Sequence, residues 1–374
     1  MATPPPILSL LLVLISSILF LLRLSSGQSL KSCGFDRIYQ LGDSLSDTGN
    51  LIREVPIGIA TPYASLPYGE TFFKRATGRC SNGLLMIDYF AISAGLPFLN
   101  PYKNIGSDFG HGVNFAVAGA TALPVEFLAS KLIFPLLTES SLRVQLDWMS
   151  GHFNSICSTE RDCGEKLKKS LFIVGEIGGN DFNYALVEGK NIEEVKSLVP
   201  DAVKAITDAV RRAISYGADR VIVAGNWPFG CFPIYLTVFQ TGNPTAYDKN
   251  QCLKQLNDLS MYFNDQLRNA IHELKKEFPD ASIAYGDYYN AFLQLLNNAS
   301  ALGFDVTSTR KSCCGIGGPY DFTLTLLCGF PGVPVCSQPN RYIHWDGIHL
   351  TQEAYRLMAG WLVDDILPNL GCNV

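Results

Sequence analysis

The sequence predicts an α/β fold, with a mainly parallel central sheet and helices on both of its faces. Five short apolar segments are spread along the chain, and amphipathic segments lie between several of them. Strands that alternate with helices favour parallel pairing, because each helical crossover returns the chain to the same end of the sheet. Small and polar residues follow several apolar segments, as expected where parallel strands end at a ligand-binding crevice.

The first predicted strand is Arg37-Ile38-Tyr39-Gln40-Leu41, a short β-branched and aromatic run. The second ends in small residues. The third, fourth and fifth are also short, and the third is a continuous apolar run, which is typical of a parallel strand that is buried on both faces. The five predicted strands are 37–41, 112–121, 171–175, 220–225 and 282–287.

Apolar residues at helical spacing predict helices between and after the strands. Thr351 is the predicted N-cap of the last one, whose apolar face carries Leu357, Trp361 and Ile366. The other helices predicted from spacing are 84–94, 192–216 and 253–278.

Composition limits the kinds of partner that this chain can have. Hydrophobic residues make up 47% of its 374 residues and charged residues 17%, which supplies a large core and shows no sign of disorder. The net charge is -5 and no basic block is present, so nucleic acid is not expected as a partner. No repeat or linker divides residues 28–374, which we predict to form a single domain.

Residues 1–27 differ from the rest of the chain and resemble a secretory signal peptide. Ile7 to Leu22 is apolar apart from three serines, and Ser25-Ser26-Gly27 supplies small residues for cleavage. A membrane anchor is the alternative, but the apolar run is shorter than the ~20 residues that span a bilayer. We therefore expect a protein of the secretory pathway, either extracellular or vacuolar, with no stable membrane insertion after cleavage.

Eleven cysteines are consistent with secretion, because that pathway permits disulfides. The odd count leaves at least one thiol free or paired with another chain. Cys157 and Cys163 are close enough in sequence to bridge a small loop. Asn298-Ala299-Ser300 is an N-glycosylation sequon, which makes Asn298 the predicted glycosylation site.

Two long segments, 62–79 and 299–339, are predicted to be irregular loops. The second is either a disulfide-stapled surface lobe or a wall of the substrate pocket, since loops of this length are usually functional or tied down. A zinc site is an alternative for its cysteines, but the chain has no two matched Cys-x-x-Cys pairs. The cysteines of this segment are Cys313, Cys314, Cys328 and Cys336.

Ser44 lies where the first predicted strand ends and a turn begins. Gly42, two residues before it, lets the backbone turn sharply, so the Ser44 hydroxyl can point into a crevice as a nucleophile. A polar turn without chemistry is the alternative.

Two other strand ends offer hydrogen-bond donors: Gly119 can aim its N–H into the same crevice, and Asn180 can donate through its side-chain amide. Tight packing at Gly119 and an Asn-Asp turn at Asn180 are the corresponding alternatives.

Asp346 and His349 lie on one short loop just ahead of the last predicted helix. A carboxylate three residues before an imidazole can reach its Nδ1, fix its tautomer and stabilise the imidazolium. A capping turn is the alternative. Among the other histidines, His344 should face away from Asp346, and His152 is predicted to lie in a loop with no acidic neighbour. His349 is therefore the preferred general base.

Four spaced blocks of the sequence resemble the SGNH hydrolases, in particular the plant branch of GDSL-type esterases and lipases. In chain order the blocks are Gly42-Asp43-Ser44-Leu45 with Ser46-Asp47-Thr48-Gly49-Asn50, Val113-Asn114-Phe115-Ala116-Val117-Ala118-Gly119-Ala120, Gly178-Gly179-Asn180-Asp181, and Asp346-Gly347-Ile348-His349. They span nearly the whole chain after the leader. Any one block is weakly specific, whereas four in this order are highly specific.

The resemblance implies a three-layer α/β/α sandwich and a role for each matching residue. Ser44 would be the nucleophile, His349 the general base, and Asp346 the residue that orients His349. The oxyanion hole would comprise the backbone N–H of Ser44, the backbone N–H of Gly119 and the side-chain amide of Asn180. No metal or organic cofactor is implied. Leu45 departs from the Phe of many family members, which changes packing near the turn but none of these roles.

We expect from this a secreted carboxylic ester hydrolase that acts on a small-molecule ester and works as a monomer. By resemblance, the substrate would be an acetyl ester of a plant specialised metabolite such as an indole alkaloid. An acyltransferase with the same Ser-His-Asp site and a general or lipid carboxylesterase are the nearest alternatives. A non-catalytic binding protein on the same scaffold would lack one of the block residues, and none is missing here.

Overall fold

A five-stranded, fully parallel sheet forms the centre of the molecule in the computed structural model, which describes residues 29–372. The predicted signal peptide therefore lies outside the described residues. The strands are β1 (Arg37–Leu41), β2 (Gly112–Asn114), β3 (Ser170–Val174), β4 (Arg220–Ala224) and β5 (Ser282–Gly286). Their order in the sheet is β2-β1-β3-β4-β5.

The strand order reverses at β1, which pairs with β2 on one side and β3 on the other. Tyr39, in the middle of β1, pairs with Val113 of β2 and with Phe172 of β3. In a sheet of this order, the loops after the strands that flank the reversal diverge and leave a crevice at the carboxyl edge. The crevice here lies among the ends of β1, β2 and β3, which precede Ser44, Gly119 and Asn180.

Helices cover both faces of the sheet, so the predicted three-layer α/β/α class is confirmed. The helices are α1 (Ile57–Ala60), α2 (Met86–Ala94), α3 (Val125–Ser130), α4 (Leu142–Ile156), α5 (Glu160–Leu167), α6 (Gly179–Val187), α7 (Ile192–Lys196), α8 (Val199–Ser215), α9 (Pro233–Val238), α10 (Lys254–Glu277), α11 (Tyr288–Asn297) and α12 (Gln352–Ile366). On one side α8 packs against α4 and α10, and α2, α11 and α12 form the other group.

Two predicted elements have different bounds in the structure, each for a local reason. The second predicted strand stops at Asn114, because the Asn50 side chain donates to the carbonyls of Asn114 and Ala116. Those carbonyls consequently bond to a loop side chain instead of another strand. The predicted helix 192–216 is divided into α7 and α8, and Pro200, which has no N–H to donate, lies in the first turn of α8. Thr351 caps α12 as predicted, its side chain accepting from Ala354 N.

Five disulfides tie the described chain together, and Cys80 is a buried free thiol. Cys157 and Cys163 are joined as their spacing suggested. The long loop 299–339 is stapled twice. The pairs are Cys33–Cys372, Cys157–Cys163, Cys231–Cys252, Cys313–Cys336 and Cys314–Cys328.

No helix within residues 29–372 combines the length and the apolar character needed to cross a membrane.

Candidate active site

The turn that carries Ser44 is held rigidly at the end of β1. Gln145 of α4 accepts from Gly42 N at 2.9 Å and donates to Gly42 O at 2.8 Å, so both backbone polar groups of Gly42 are bonded. Asp43 N donates to the Glu176 carbonyl after β3 at 2.9 Å, and Asp47 N closes the turn on Asp43 O at 2.9 Å. Ser44 lies at the top of this turn, largely buried, and has no hydrogen bond to any described residue. Its hydroxyl and its N–H are thus both available to a ligand.

Asp47 joins the Ser44 turn to the loop after β2. Its fully buried carboxylate accepts the backbone N–H groups of Gly49, Asn50, Leu51 and Ala118 at 2.6–2.9 Å. A carboxylate bonded by several N–H groups is strongly constrained, because leaving any of them unpaired in the interior costs free energy. The position of Gly119, the next residue after Ala118, is therefore set relative to Ser44.

Position 119 requires a glycine, both for its backbone conformation and for the lack of space for a side chain. Its φ is +86°, in the region that favours glycine, and a Cβ there would lie 2.8 Å from Leu137 Cβ and 3.0 Å from Tyr184 Oη. Tyr184 donates to the Gly119 carbonyl at 3.0 Å. The Gly119 N–H donates to no acceptor among residues 29–372, so it remains available to a ligand.

Asn180 lies in the first turn of α6, which the sequence suggested only as a polar segment after a strand. Its Nδ2 donates to Ala120 O at 3.0 Å, and the amide has a second hydrogen to donate. Asp181 accepts from Ala122 N at 2.8 Å and from Leu123 N at 2.9 Å, which ties α6 to the loop after β2. The ends of β2 and β3 are thus joined, and the structure brings Asn180 and Ser44 to the wall of one cavity.

His349 and Asp346 form a buried, directly bonded pair. Asp346 Oδ2 lies 2.8 Å from His349 Nδ1, and Asp346 Oδ1 accepts the backbone N–H groups of Ile348 and His349 at 2.8 Å. Burial alone would raise the pKa of Asp346, but the nearby His349 and these hydrogen bonds outweigh it and hold the pKa below its usual value. Asp346 therefore remains a carboxylate that fixes the His349 tautomer with the proton on Nδ1. His349 Nε2 is buried and has no hydrogen-bonding partner among the described residues.

Tyr68 is a site residue that sequence reasoning missed. Its hydroxyl donates to Asp346 Oδ2 at 2.7 Å, across 278 positions of the chain. Tyr63 lies edge-on to His349, with ring centroids 5.8 Å apart. Both tyrosines belong to the predicted loop 62–79, whose aromatic content was the one available signal. Neither partner could be chosen from sequence, because the contacts depend on how the loop folds over the sheet edge.

The structure separates His344 from the site. His344 is fully buried between Phe232 and Phe292, at centroid distances of 5.1 and 5.6 Å. Burial lowers the pKa of His344 to about 3, so this ring is neutral at physiological pH. The prediction that His152 lies in a loop is wrong: it belongs to α4 and is buried beside Phe115 and Phe153, because the apolar residues around it continue a helical pattern.

Two cavities adjoin these residues. The Ser44 cavity has a volume of about 30 Å³ and is lined by Asp43, Ser44, Leu45, Gly179, Asn180, Asn183, Trp227, Phe229, Phe232, Tyr235 and Ile348. The His349 cavity has a volume of about 230 Å³ and is lined by Pro62, Tyr63, Tyr68, Leu137, Ile234, Phe322, Leu324, Leu327, Cys328, Asp346, Gly347, Ile348 and His349. Ile348 borders both. The long loop 299–339 thus forms a wall of the His349 cavity.

A larger cavity of about 760 Å³ lies elsewhere, between the end of α6 and the start of α10, and no predicted site residue lines it. Within residues 29–372, no group of three or more His, Cys, Asp or Glu side chains is arranged to hold a metal ion.

A doubly wound parallel sheet with a serine, a histidine–carboxylate pair and unbonded N–H groups at its carboxyl edge is typical of serine hydrolases. The sequence matches the family GDSL-like Lipase/Acylhydrolase over residues 38–362. The chain belongs to this family, as its four sequence blocks predicted, and it is a carboxylic ester hydrolase.

Relatives cover nearly the full length of the chain. Acetylajmalan esterase 2 of Rauvolfia serpentina is 50% identical over 347 residues, covering 92% of this chain and 94% of that protein. Acetylajmalan esterase 1 of the same plant is 49% identical over 341 residues, covering 91% and 89%. A GDSL esterase/lipase of Arabidopsis thaliana is 43% identical over 360 residues, covering 96% and 98%. Among solved structures, phospholipase A1 from Streptomyces albidoflavus NA297 is 14% identical with a TM-score of 0.36, covering 90% of this chain and 100% of that one.

Asn180→Ala is expected to lower kcat by about 10²-fold or more, with little change in substrate binding. By the role predicted for Asn180, the substitution removes one donor from the developing oxyanion, and such a loss typically costs ~2.7–4 kcal/mol of transition-state stabilisation. Steady-state kinetics on a small acetyl ester measures the effect. Asn290→Ala is the control for the loss of an amide in the first turn of a helix, because Asn290 is exposed near the start of α11 and lines neither cavity beside the site. An unchanged kcat in Asn180→Ala would remove Asn180 from the oxyanion hole.

Proposed function

We propose that this protein is a serine esterase that cleaves an acetyl ester of a plant specialised metabolite, such as an indole alkaloid, through an acyl-Ser44 intermediate. The observation that carries the proposal is the state of His349. Its Nδ1 is held by the Asp346 carboxylate at 2.8 Å, while its Nε2 is buried with no partner among the described residues. An imidazole oriented in this way is prepared to accept a proton from a serine hydroxyl.

In the proposed acylation step, Ser44 Oγ attacks the ester carbonyl carbon as its proton passes to His349 Nε2. A neutral hydroxyl is a weak nucleophile at pH 7, so this base is needed at the moment of attack. The carbonyl oxygen becomes an oxyanion bound by the Ser44 N–H, the Gly119 N–H and the Asn180 amide. The carbon–alkoxy bond then breaks, and the leaving alcohol takes the proton from His349.

Deacylation repeats the sequence with water as the nucleophile. His349 accepts a proton from the water as the water oxygen attacks the acyl carbon, and the same donors bind the second oxyanion. The bond to Ser44 Oγ then breaks, and Ser44 recovers its proton from His349. The products are one carboxylic acid and one alcohol, and the enzyme is unchanged.

The substrate proposal rests on the relatives. Acetylajmalan esterases of Rauvolfia serpentina are 49–50% identical to this chain over nine-tenths of its length, and their names specify an acetyl ester. The partner is accordingly a small molecule.

We also propose that residues 1–27 are a cleaved signal peptide and that residues 28–374 form one domain, which acts as a monomer in an extracellular or vacuolar compartment. Five disulfides in the described chain support an oxidising compartment. Asn298, the proposed glycosylation site, is exposed at the end of α11.

The purified protein should release acetate from a panel of acetyl esters that differ in their alcohols. In water enriched in ¹⁸O, mass spectrometry should find one ¹⁸O atom in the acetate and none in the alcohol, because water attacks the acyl-enzyme. The panel is then repeated with an added acceptor alcohol. If the acetyl group passes mainly to that alcohol and little labelled acetate forms, the protein is an acyltransferase and the proposed hydrolysis is wrong.

A further inference from the structure

We propose that Phe229 and Tyr235 close the acyl side of the site, so that this enzyme accepts short acyl groups there and receives a bulky apolar alcohol on the other side of Ile348. The inference rests on the proposed roles of Ser44 and His349. Each cavity binds one half of the ester, and Phe229 and Tyr235 limit the length of the acyl group.

The direction of the substrate follows from the proton transfer to the leaving group. His349 must donate its proton to the oxygen of the leaving alcohol. The alcohol oxygen and the group attached to it therefore lie on the His349 side. The acyl substituent then points the other way, into the Ser44 cavity. Ser44 and Asn180 both line that cavity, whereas His349 lines only the other one. Each half of the ester is thereby matched to one cavity.

The Ser44 cavity is small and has aromatic walls. Its volume of about 30 Å³ is several times smaller than the about 230 Å³ of the His349 cavity. The methyl group of an acetyl ester therefore suits the Ser44 cavity better than a chain of six carbons does. Phe229 and Tyr235 lie against each other with ring centroids 5.6 Å apart, and both are buried.

The aromatic residues that line the Ser44 cavity are fixed by hydrogen bonds and packing on their far side. Displacing them would therefore cost free energy. The Tyr235 hydroxyl donates to Asn183 Oδ1, and Ile234 N donates to Gly347 O at 3.0 Å, which fixes α9 to the loop of the His–Asp pair. Phe232 stacks on Phe292 with centroids 5.1 Å apart. Enlarging the cavity would disturb packed aromatic rings, and interiors at this density resist added methylene groups.

The His349 cavity has the opposite character. Its volume of about 230 Å³ is several times larger, and its walls are mostly apolar, including Leu137, Ile234 and Phe322. One wall belongs to the loop that is constrained by the disulfides Cys313–Cys336 and Cys314–Cys328. A large apolar alcohol buries its surface there, whereas a small alcohol leaves much of the cavity unfilled.

The test measures kcat/KM for 2-naphthyl acetate, butyrate and hexanoate, so that the alcohol stays constant while the acyl chain grows. The wild-type protein should prefer acetate over hexanoate by at least about tenfold, since one methylene too many in a filled pocket is worth about 10–200-fold. Phe229→Ala removes one wall and should raise the hexanoate-to-acetate ratio by about tenfold or more. Phe98→Ala, a matched change at a half-buried phenylalanine that lines neither cavity, should keep the wild-type ratio.

A second arm probes the alcohol side. Leu327→Trp narrows the His349 cavity and should lower the preference for naphthyl over ethyl acetate, while the hexanoate-to-acetate ratio stays at its wild-type value. Phe229→Leu, a smaller change, is used if thermal unfolding shows that Phe229→Ala is not folded.

The possible failures can be told apart. If no ester is hydrolysed, or if Ser44→Ala hydrolyses them all, the proposed function fails. If hydrolysis depends on Ser44 but the wild-type protein turns over hexanoate as fast as acetate, only the assignment of the cavities is overturned. An unchanged ratio in a folded Phe229 variant would overturn it as well.

Discussion

Ser44→Ala is expected to abolish turnover of a small acetyl ester while the protein remains folded. The substitution removes the oxygen that is proposed to form the acyl bond, and in related triads loss of the nucleophile lowers kcat by about 10⁶-fold. The residual rate comes from binding and the oxyanion donors alone, neither of which requires the hydroxyl. The free energy of unfolding should hardly change, because the Ser44 side chain makes no hydrogen bond to any described residue.

Ser46→Ala is the matched control for this experiment. Ser46 lies in the same turn, but its hydroxyl accepts from Gln40 Nε2 at 3.3 Å, within the interior and away from both cavities. Its removal should therefore leave most of the activity. Hydrolysis assays and thermal unfolding of both variants measure the two effects. A Ser44→Ala protein with a rate near that of the wild type would show that Ser44 is not the nucleophile.

His349→Ala is expected to be nearly as damaging as Ser44→Ala, again by several orders of magnitude in kcat. In the proposed mechanism His349 is the group that accepts the Ser44 proton, and without its imidazole Asp346 is left as a buried carboxylate whose main partner has been removed. The double variant with Ser44→Ala should be no worse than either single one, because residues that act as a unit have non-additive effects.

His344→Ala discriminates between the two imidazoles of this loop. His344 packs between Phe232 and Phe292. Its removal should lower the free energy of unfolding, because it leaves a cavity in the core. The kcat per folded molecule should fall much less than in His349→Ala. The reverse order of the two effects on kcat would mean that His344, not His349, is the general base.

Much of the fold could be predicted because the signals are local. All five strands lie within the predicted segments or within one residue of them, since apolar runs of this length are typical of buried parallel strands. The start of α12 was predicted because Thr351 caps a helix through its own side chain. Several helices were not predicted, among them α4, whose Gln145 fixes the Ser44 turn, since a mixed apolar and polar segment is a weak signal without its neighbours.

The partners of each group at the site, by contrast, depend on contacts between distant segments. Tyr68 reaches Asp346 across 278 positions, and Asp47 bonds to Ala118 across 71. Neither pairing has a signature in the chain, because each arises only when the loops after separate strands fold onto one sheet edge.

The sequence by itself determined the class of fold, the five strands in chain order, and the short motifs that hold Ser44, Gly119, Asn180, Asp346 and His349. It did so because propensity, capping and residue spacing act over a few neighbouring positions. Only the tertiary structure decided which imidazole is buried among aromatic rings, which tyrosine bonds to the carboxylate, and how small the space beside Ser44 is. Those features depend on packing between segments far apart in the chain, where the position of each side chain is set by all the others around it.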